Sequence, residues 1–222
     1  MLTSSLITTR HGFFTRSTSD NEHVRKSLGA SELILAKQIH SSTALLINKP
    51  GVYEGDALVT TTQGIAVAVY TADCGPILLC DKKAGVIAAA HAGWPGARNG
   101  IIDSVISVMQ KAGAKDIVAA LGPCIHQRSY EVGPEFFTNF ISESKDNEKF
   151  FSPSTKPGHF MFDLPGYIEM KLRAAGVNSI EVLPQDTLSH PDQFHSFRRS
   201  TIAGIKEPGR QLSAICLSPK KY

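Results

Sequence analysis

The chain reads as a mixed α/β (α+β) protein, one domain over residues 1–222, with a large mixed β-sheet flanked by helices. Three observations predict this. Short continuous apolar blocks recur along the chain, as strands covered on both faces require. Three longer segments carry a helical period. Their order mixes strand–helix alternation with plain runs of strands, which argues for a mixed sheet with helices packed on it.

The expected strands are residues 31–38, 43–48, 57–61, 65–70, 76–80, 85–90, 117–121, 180–183 and 213–217. A helix over 98–112 places Ile101, Ile102, Val105, Ile106, Val108 and Met109 near a 3.6-residue spacing and stops at Gly113. A second, over 134–142, gathers Phe136, Phe137, Phe140 and Ile141. A third, over 164–175, has Pro165 in its first turn, Gly176 at its end and Asp163 as its N-cap. Residues 142–158 lack apolar periodicity and read as a surface excursion.

Composition narrows the function classes. Hydrophobic residues make up 42% of the 222, enough for a full core. No apolar run reaches the roughly 20 residues of a membrane span, and the first ten residues do not read as a secretion signal. The expectation is a soluble cytoplasmic protein. The net charge is +3 and the basic residues are dispersed, which argues against nucleic acid as a partner. Four cysteines without CxxC spacing are expected to be reduced thiols.

Chemistry concentrates between Gly55 and Gly100. Cys74 lies in a turn between apolar strands. His91 ends the run Ala88-Ala89-Ala90 and opens a glycine-rich turn. His40 ends Lys37-Gln38-Ile39-His40. Two imidazoles and a thiolate suit a catalytic zinc, which takes three protein ligands and keeps one position open. Singly, each has a structural reading: core thiol, helix-start histidine, surface histidine. A metal-free reading makes Cys74 a nucleophile and His91 its base. The turn Gly93-Trp94-Pro95-Gly96, with Arg98, offers backbone N–H groups and charge to a phosphate; a plain strand-to-helix turn is the alternative. Arg16 could reach a substrate or lie on a hairpin surface. Asp56 reads as a turn residue, and Cys124 as a buried thiol near the pocket. Arg198, Arg199 and Arg210 suit carboxylates as well as ligands.

Together these segments resemble the laccase-domain proteins of the YfiH type, long labelled multicopper polyphenol oxidases and now described as purine nucleoside phosphorylases. The resemblance rests on His11-Gly12-Phe13-Phe14-Thr15-Arg16, Gln38-Ile39-His40-Ser41, Gly55-Asp56-Ala57-Leu58, Thr71-Ala72-Asp73-Cys74-Gly75-Pro76, Ala90-His91-Ala92-Gly93-Trp94, Leu121-Gly122-Pro123-Cys124 and Ser196-Phe197-Arg198-Arg199. They run in order along nearly the whole chain. The resemblance implies a fold distantly similar to cysteine deamidase toxins, with zinc rather than copper on His40, Cys74 and His91. It implies phosphate-dependent cleavage of adenosine, inosine and methylthioadenosine, with adenosine deamination alongside. The implied partners are a small nucleoside and phosphate, in a monomer or weak homodimer. Bacterial members are also linked to peptidoglycan editing.

The sequence departs from the family pattern in three places. The Gly-Gly-Val-Ser stretch expected after Arg16 is replaced by Ser17-Thr18-Ser19-Asp20, a cysteine common near Asp186-Thr187 is missing, and His126 stands where a small residue is usual. Three rival classes stay open: a cysteine hydrolase or amidase, a copper oxidase of phenols, and a non-catalytic binding protein. The chain has no His-x-His pair, which ranks the copper oxidase last.

Overall fold

The computed structural model describes residues 1–206 and 208–217. The strands divide between two mixed sheets and a small third one, instead of forming one large sheet. The reason lies in how the apolar residues alternate. In β6 (Ile65–Thr71), Val67 and Val69 pack into one cluster, while Ala66 and Ala68 face another. In β8 (Val86–Ala92), Ile87 and Ala89 join Val67 and Val69, while Ala88 and Ala90 face the opposite way. Successive side chains on a strand point to opposite faces. A strand apolar on both faces therefore needs a layer on each side.

The layers follow from this. The five-stranded sheet has the order β1 (Arg10–Phe13), β14 (Gln211–Cys216), β6, β2 (Glu32–Lys37), β4 (Tyr53–Glu54). The six-stranded sheet has the order β13 (Ser179–Val182), β9 (Val118–Leu121), β7 (Gly75–Asp81), β8, β5 (Ala57–Thr60), β3 (Ala44–Leu46). They pack on each other through a core that includes Ile34, Val67, Leu78, Ile87 and Ile215. Helix α1 (Asn21–Ser27) covers the outer face of the first sheet with Val24 and neighbouring Leu28. Helices α3 (Ile101–Lys111) and α5 (Leu164–Ala174) cover the outer face of the second. The small sheet, β10 (Glu131–Val132), β12 (Phe160–Phe162) and β11 (Phe151–Pro153), packs its aromatic residues beside α4 (Pro134–Ile141).

Most expected elements are present, with informative differences. The helix expected over 98–112 is two: α2 (Trp94–Arg98) and α3, separated by Gly100 at φ +94°. Residues 142–158 are not a plain surface excursion. They hold a short 3₁₀ helix, Lys145–Phe150, whose Asn147 and Phe150 are buried, followed by β11. Helix α6 (Phe197–Ile202) was not legible as an element, because four of its six residues are polar or charged and none is buried. Asp163 does cap α5, accepting from Gly166 N at 3.1 Å. No helix among the described residues is long and apolar enough to cross a membrane.

Two close fits tie the sheets to the chain ends. Gly122, just after β9, lies where a Cβ would stand 2.1 Å from the buried Phe13 ring of β1. In β1, His11 Nδ1 sits 2.8 Å from Thr9 O and Nε2 accepts from Ser4 N at 2.8 Å, which fixes the neutral tautomer and pins the N-terminal segment. Gly122→Ala is expected to cost about 1–3 kcal/mol in urea unfolding, because the ring cannot move away from a packed sheet interface. Burial lowers the His11 pKa from its ordinary 6.5. Below that pH the unfolded chain takes up a proton that the fold refuses, so stability falls as pH drops from 6.5 towards the native value. His11→Asn is expected to flatten that part of a stability–pH curve.

Candidate metal centre and cavity

The site lies where three strand ends open onto one cavity. Asp56 stands in the turn between β4 and β5 and is completely buried. Its Oδ1 meets His91 Nδ1 at 2.8 Å and accepts from His40 N at 3.1 Å. Its Oδ2 accepts from Ser41 N at 2.6 Å, Ser41 Oγ at 2.8 Å and Ile39 N at 3.3 Å. The Asp56 carbonyl accepts His91 N at 2.7 Å. One carboxylate thus holds both histidine-bearing segments. His40 itself adopts φ +59°, a left-handed conformation that non-glycine residues rarely take.

The donor atoms of His40, Cys74 and His91 all lie within 4.8 Å of one another, and this is the one group of its kind among the described residues. The two imidazoles stand nearly perpendicular, with centroids 4.8 Å apart. Donors sharing one tetrahedral ion are separated by roughly 3.5 Å, so about an ångström of side-chain movement gathers these three. His91 holds its Nδ1 against a carboxylate, leaving Nε2 for a ligand, the usual support of a metal-binding histidine. Gly93 completes the cradle: a Cβ there would stand 2.8 Å from Cys74 Sγ and 3.5 Å from His40 Cδ2. The residues therefore fit a metal ion with an open coordination position.

The electrostatics agree. Burial opposes ionisation of Asp56, but the bonds from His91 and Ser41 outweigh it and bring the carboxyl to about 2. Burial likewise opposes the Cys74 thiolate, yet the hydrogen bonds of His40 and His91 lower the thiol to about 7. Burial pulls His91 down, but Asp56 and Cys74 raise it to about 9. The other thiols behave differently: burial lifts Cys80 and Cys216 to about 11 and Cys124 well above the ordinary value.

The cavity above these donors has a volume of about 780 Å³. Its walls carry Trp94, Tyr130, Tyr70 and Phe197, and two arginines, Arg198 and Arg210. Of the residues expected to hold phosphate, Arg16 and Arg98 do not line this cavity, whereas Gly93 stands beside its donors. Arg16 is exposed and donates to Pro191 O at 2.7 Å. Arg98 is engaged by Glu143 at 2.5 Å and lies over the Phe140 ring. Gly93 abuts the thiol, and the helix it opens has Pro95, which lacks an N–H, in its first turn. Cys124 is fully buried. Arg199 supports the fold, donating to the carbonyls of Thr187, Leu188 and Phe194. The sequence reading missed Asp56 as a hub and Asp73 as a buried acceptor. The signal for Asp56 was its place directly after Gly55 at a strand start, which turn chemistry alone also explains.

The chain matches a family model described as multi-copper polyphenol oxidoreductase laccase over residues 16–218. A Rickettsia conorii protein named purine nucleoside phosphorylase is 38% identical, over 85% of this chain and 79% of its own length. A Pseudomonas aeruginosa protein of the same name is 34% identical, over 75% of this chain and 69% of its own. Among solved structures, a Neisseria meningitidis protein of family DUF152 is 30% identical with a TM-score of 0.76, covering 96% of this chain and 93% of that one. The Bacillus licheniformis protein YfiH shares the fold at a TM-score of 0.81 and 23% identity, covering 94% and 92%. With a family model spanning nearly its whole length and relatives of this identity and coverage, the chain belongs to the laccase-like family described as multi-copper polyphenol oxidoreductase laccase, and the curated relatives it matches are named purine nucleoside phosphorylases.

Proposed function

We propose that this protein is a zinc-dependent purine nucleoside phosphorylase acting on adenosine, inosine and methylthioadenosine, with adenosine deamination as a companion activity. One observation carries the reading: His40, Cys74 and His91 converge at the floor of a cavity of nucleoside-and-anion size with aromatic walls. The names of the relatives support it. Aromatic faces suit a purine ring, and an open metal position suits a polar group beside it. A bound zinc ion would supply a fixed positive charge and Lewis acidity at that floor. The chain's own part is to orient and to exclude water. Asp56 fixes the His91 ring, Gly93 leaves room for the sulfur, and Trp94, Ile125 and Leu164 make that wall apolar. In the reaction a phosphate oxygen bonds to the sugar C1′, the glycosidic C–N bond breaks, and the purine leaves with a proton.

A second reading has its own observation. The sequence lacked a third group to orient a Cys74–His91 pair, and Asp56 supplies one. With the thiol at about 7, the metal-free protein has the parts of a cysteine hydrolase or amidase, of the kind a role in peptidoglycan editing would use. A copper oxidase of phenols fits least. Multicopper chemistry draws on many histidines, and the described residues gather a single three-donor group.

The deciding measurement gives adenosine, inosine and methylthioadenosine with phosphate to protein stripped of metal and then reloaded with zinc. Free base and the matching sugar 1-phosphate (ribose 1-phosphate from adenosine and inosine, 5-methylthioribose 1-phosphate from methylthioadenosine) should appear with zinc and be lost without it, and inosine should form from adenosine. Activity indifferent to stripping would remove the metal's role, and labelling of Cys74 by an amide or ester substrate would favour the rival. Asp56→Asn is expected to weaken zinc binding about 10–100-fold in a competition titration, because the His91 ring loses its orienting charge. Native-like circular dichroism of the variant would separate this from unfolding.

A further inference from the structure

The two arginines of the cavity have a feature that no other cation there shares. Neither guanidinium has a carboxylate or hydrogen-bond partner among the described residues. Each lies over an aromatic face: Arg198 Cζ is 5.5 Å from the Tyr130 centroid, and Arg210 Cζ is 4.8 Å from that of Tyr70. Stacking orders the guanidinium plane and leaves its N–H edge free, the geometry that takes a phosphate oxygen pair. Both side chains line the cavity that the donors His40, Cys74 and His91 also line.

Arg198 is placed by a device of its own. Asp73, next to Cys74, adopts φ +84° and is buried. Its carboxylate accepts from Thr187 Oγ1 at 2.6 Å, Ser196 Oγ at 2.9 Å and Arg198 N at 2.7 Å. Its carbonyl accepts from Ile125 N at 2.9 Å. Four bonds hold a backbone conformation that an aspartate does not adopt freely. The effect is to clamp the first turn of α6 onto the turn that carries the thiol. Asp73 also lines the cavity, but its carboxylate oxygens are already taken up by three donors.

We propose that Arg198 and Arg210 form the anion site that holds the attacking phosphate, and that Asp73 is a positioning residue setting Arg198 against the donor cluster. The assignment rests on the phosphorylase reading for the identity of the anion. The stacked, partnerless arginines and the clamp stand without it.

The test uses the zinc-loaded full chain. Arg198→Met and Arg210→Met should each raise KM for inorganic phosphate about tenfold or more, with KM for the nucleoside and zinc content nearly unchanged. Arg173→Met, which alters a surface pair on α5, should change neither. Asp73→Asn should raise phosphate KM in the same direction. Thr187→Val removes a single clamp bond and should do so to a smaller degree if Asp73→Asn fails to fold. Independently of turnover, inorganic phosphate should shield positions 198 and 210 from phenylglyoxal, read by peptide mass spectrometry. Unchanged phosphate KM in the arginine variants of an active phosphorylase overturns the anion site and leaves the phosphorylase reading standing. Shielding in a protein that shows no phosphorolysis keeps the site and overturns that reading. Loss of kcat and stability in Asp73→Asn, with phosphate KM unmoved, reduces Asp73 to a structural role.

Discussion

A single buried carboxylate organises this molecule's chemistry. Asp56 is wholly removed from water, a position a charge keeps only when its lone pairs are satisfied. Here they are satisfied by the very segments that carry His40 and His91. The stability of that turn and the geometry of the donor cluster are therefore one problem. Removing the carboxylate would leave several part-buried N–H groups without acceptors, as well as a histidine ring free to rotate.

The two-sheet architecture explains why the donors meet. β5 and β8 pair antiparallel, with Ala57 opposite Ala90, which brings Asp56 beside His91. β7 and β8 also pair antiparallel, with Gly75 opposite Ala92, which brings Cys74 beside Gly93. β2 belongs to the other sheet, and the chain leaving it crosses to deliver His40. The cavity thus sits where the ends of both sheets adjoin, walled by α6 and the aromatic residues beside the small sheet. Ligand sites outside strand ends are common in α/β folds for the same reason: backbone leaving a sheet is free to turn its polar groups towards a guest.

Much of this was legible in the sequence. The apolar blocks marked the central strands because residues buried on both faces leave no room for a polar period. They did not show that two sheets share the work, since alternation between two apolar faces looks like one apolar run. His40, Cys74 and His91 were legible by residue type and position, and the fold places them together. The arginines proposed to hold phosphate were not. Arg98 beside a glycine turn looks like an anion site in one dimension, but Glu143, distant in sequence, occupies it. In the sequence, Arg198 and Arg210 suited carboxylates as well as ligands, because only the folded chain shows them stacked on aromatic rings with no acid among the described residues reaching them. Asp56 and Asp73 were hidden by their chemistry: an aspartate in a turn has a local explanation ready, and its long-range bonds leave no trace in spacing.

The left-handed backbones at His40 and Asp73 limit how this protein can be made more robust. Replacement by glycine is the standard relief for such a conformation. At either position it would delete an imidazole donor or the three-way acceptor of α6. Thermostabilised descendants of this chain must therefore keep both kinks and gain their resilience elsewhere, for instance on the outer faces of α1, α3 and α5.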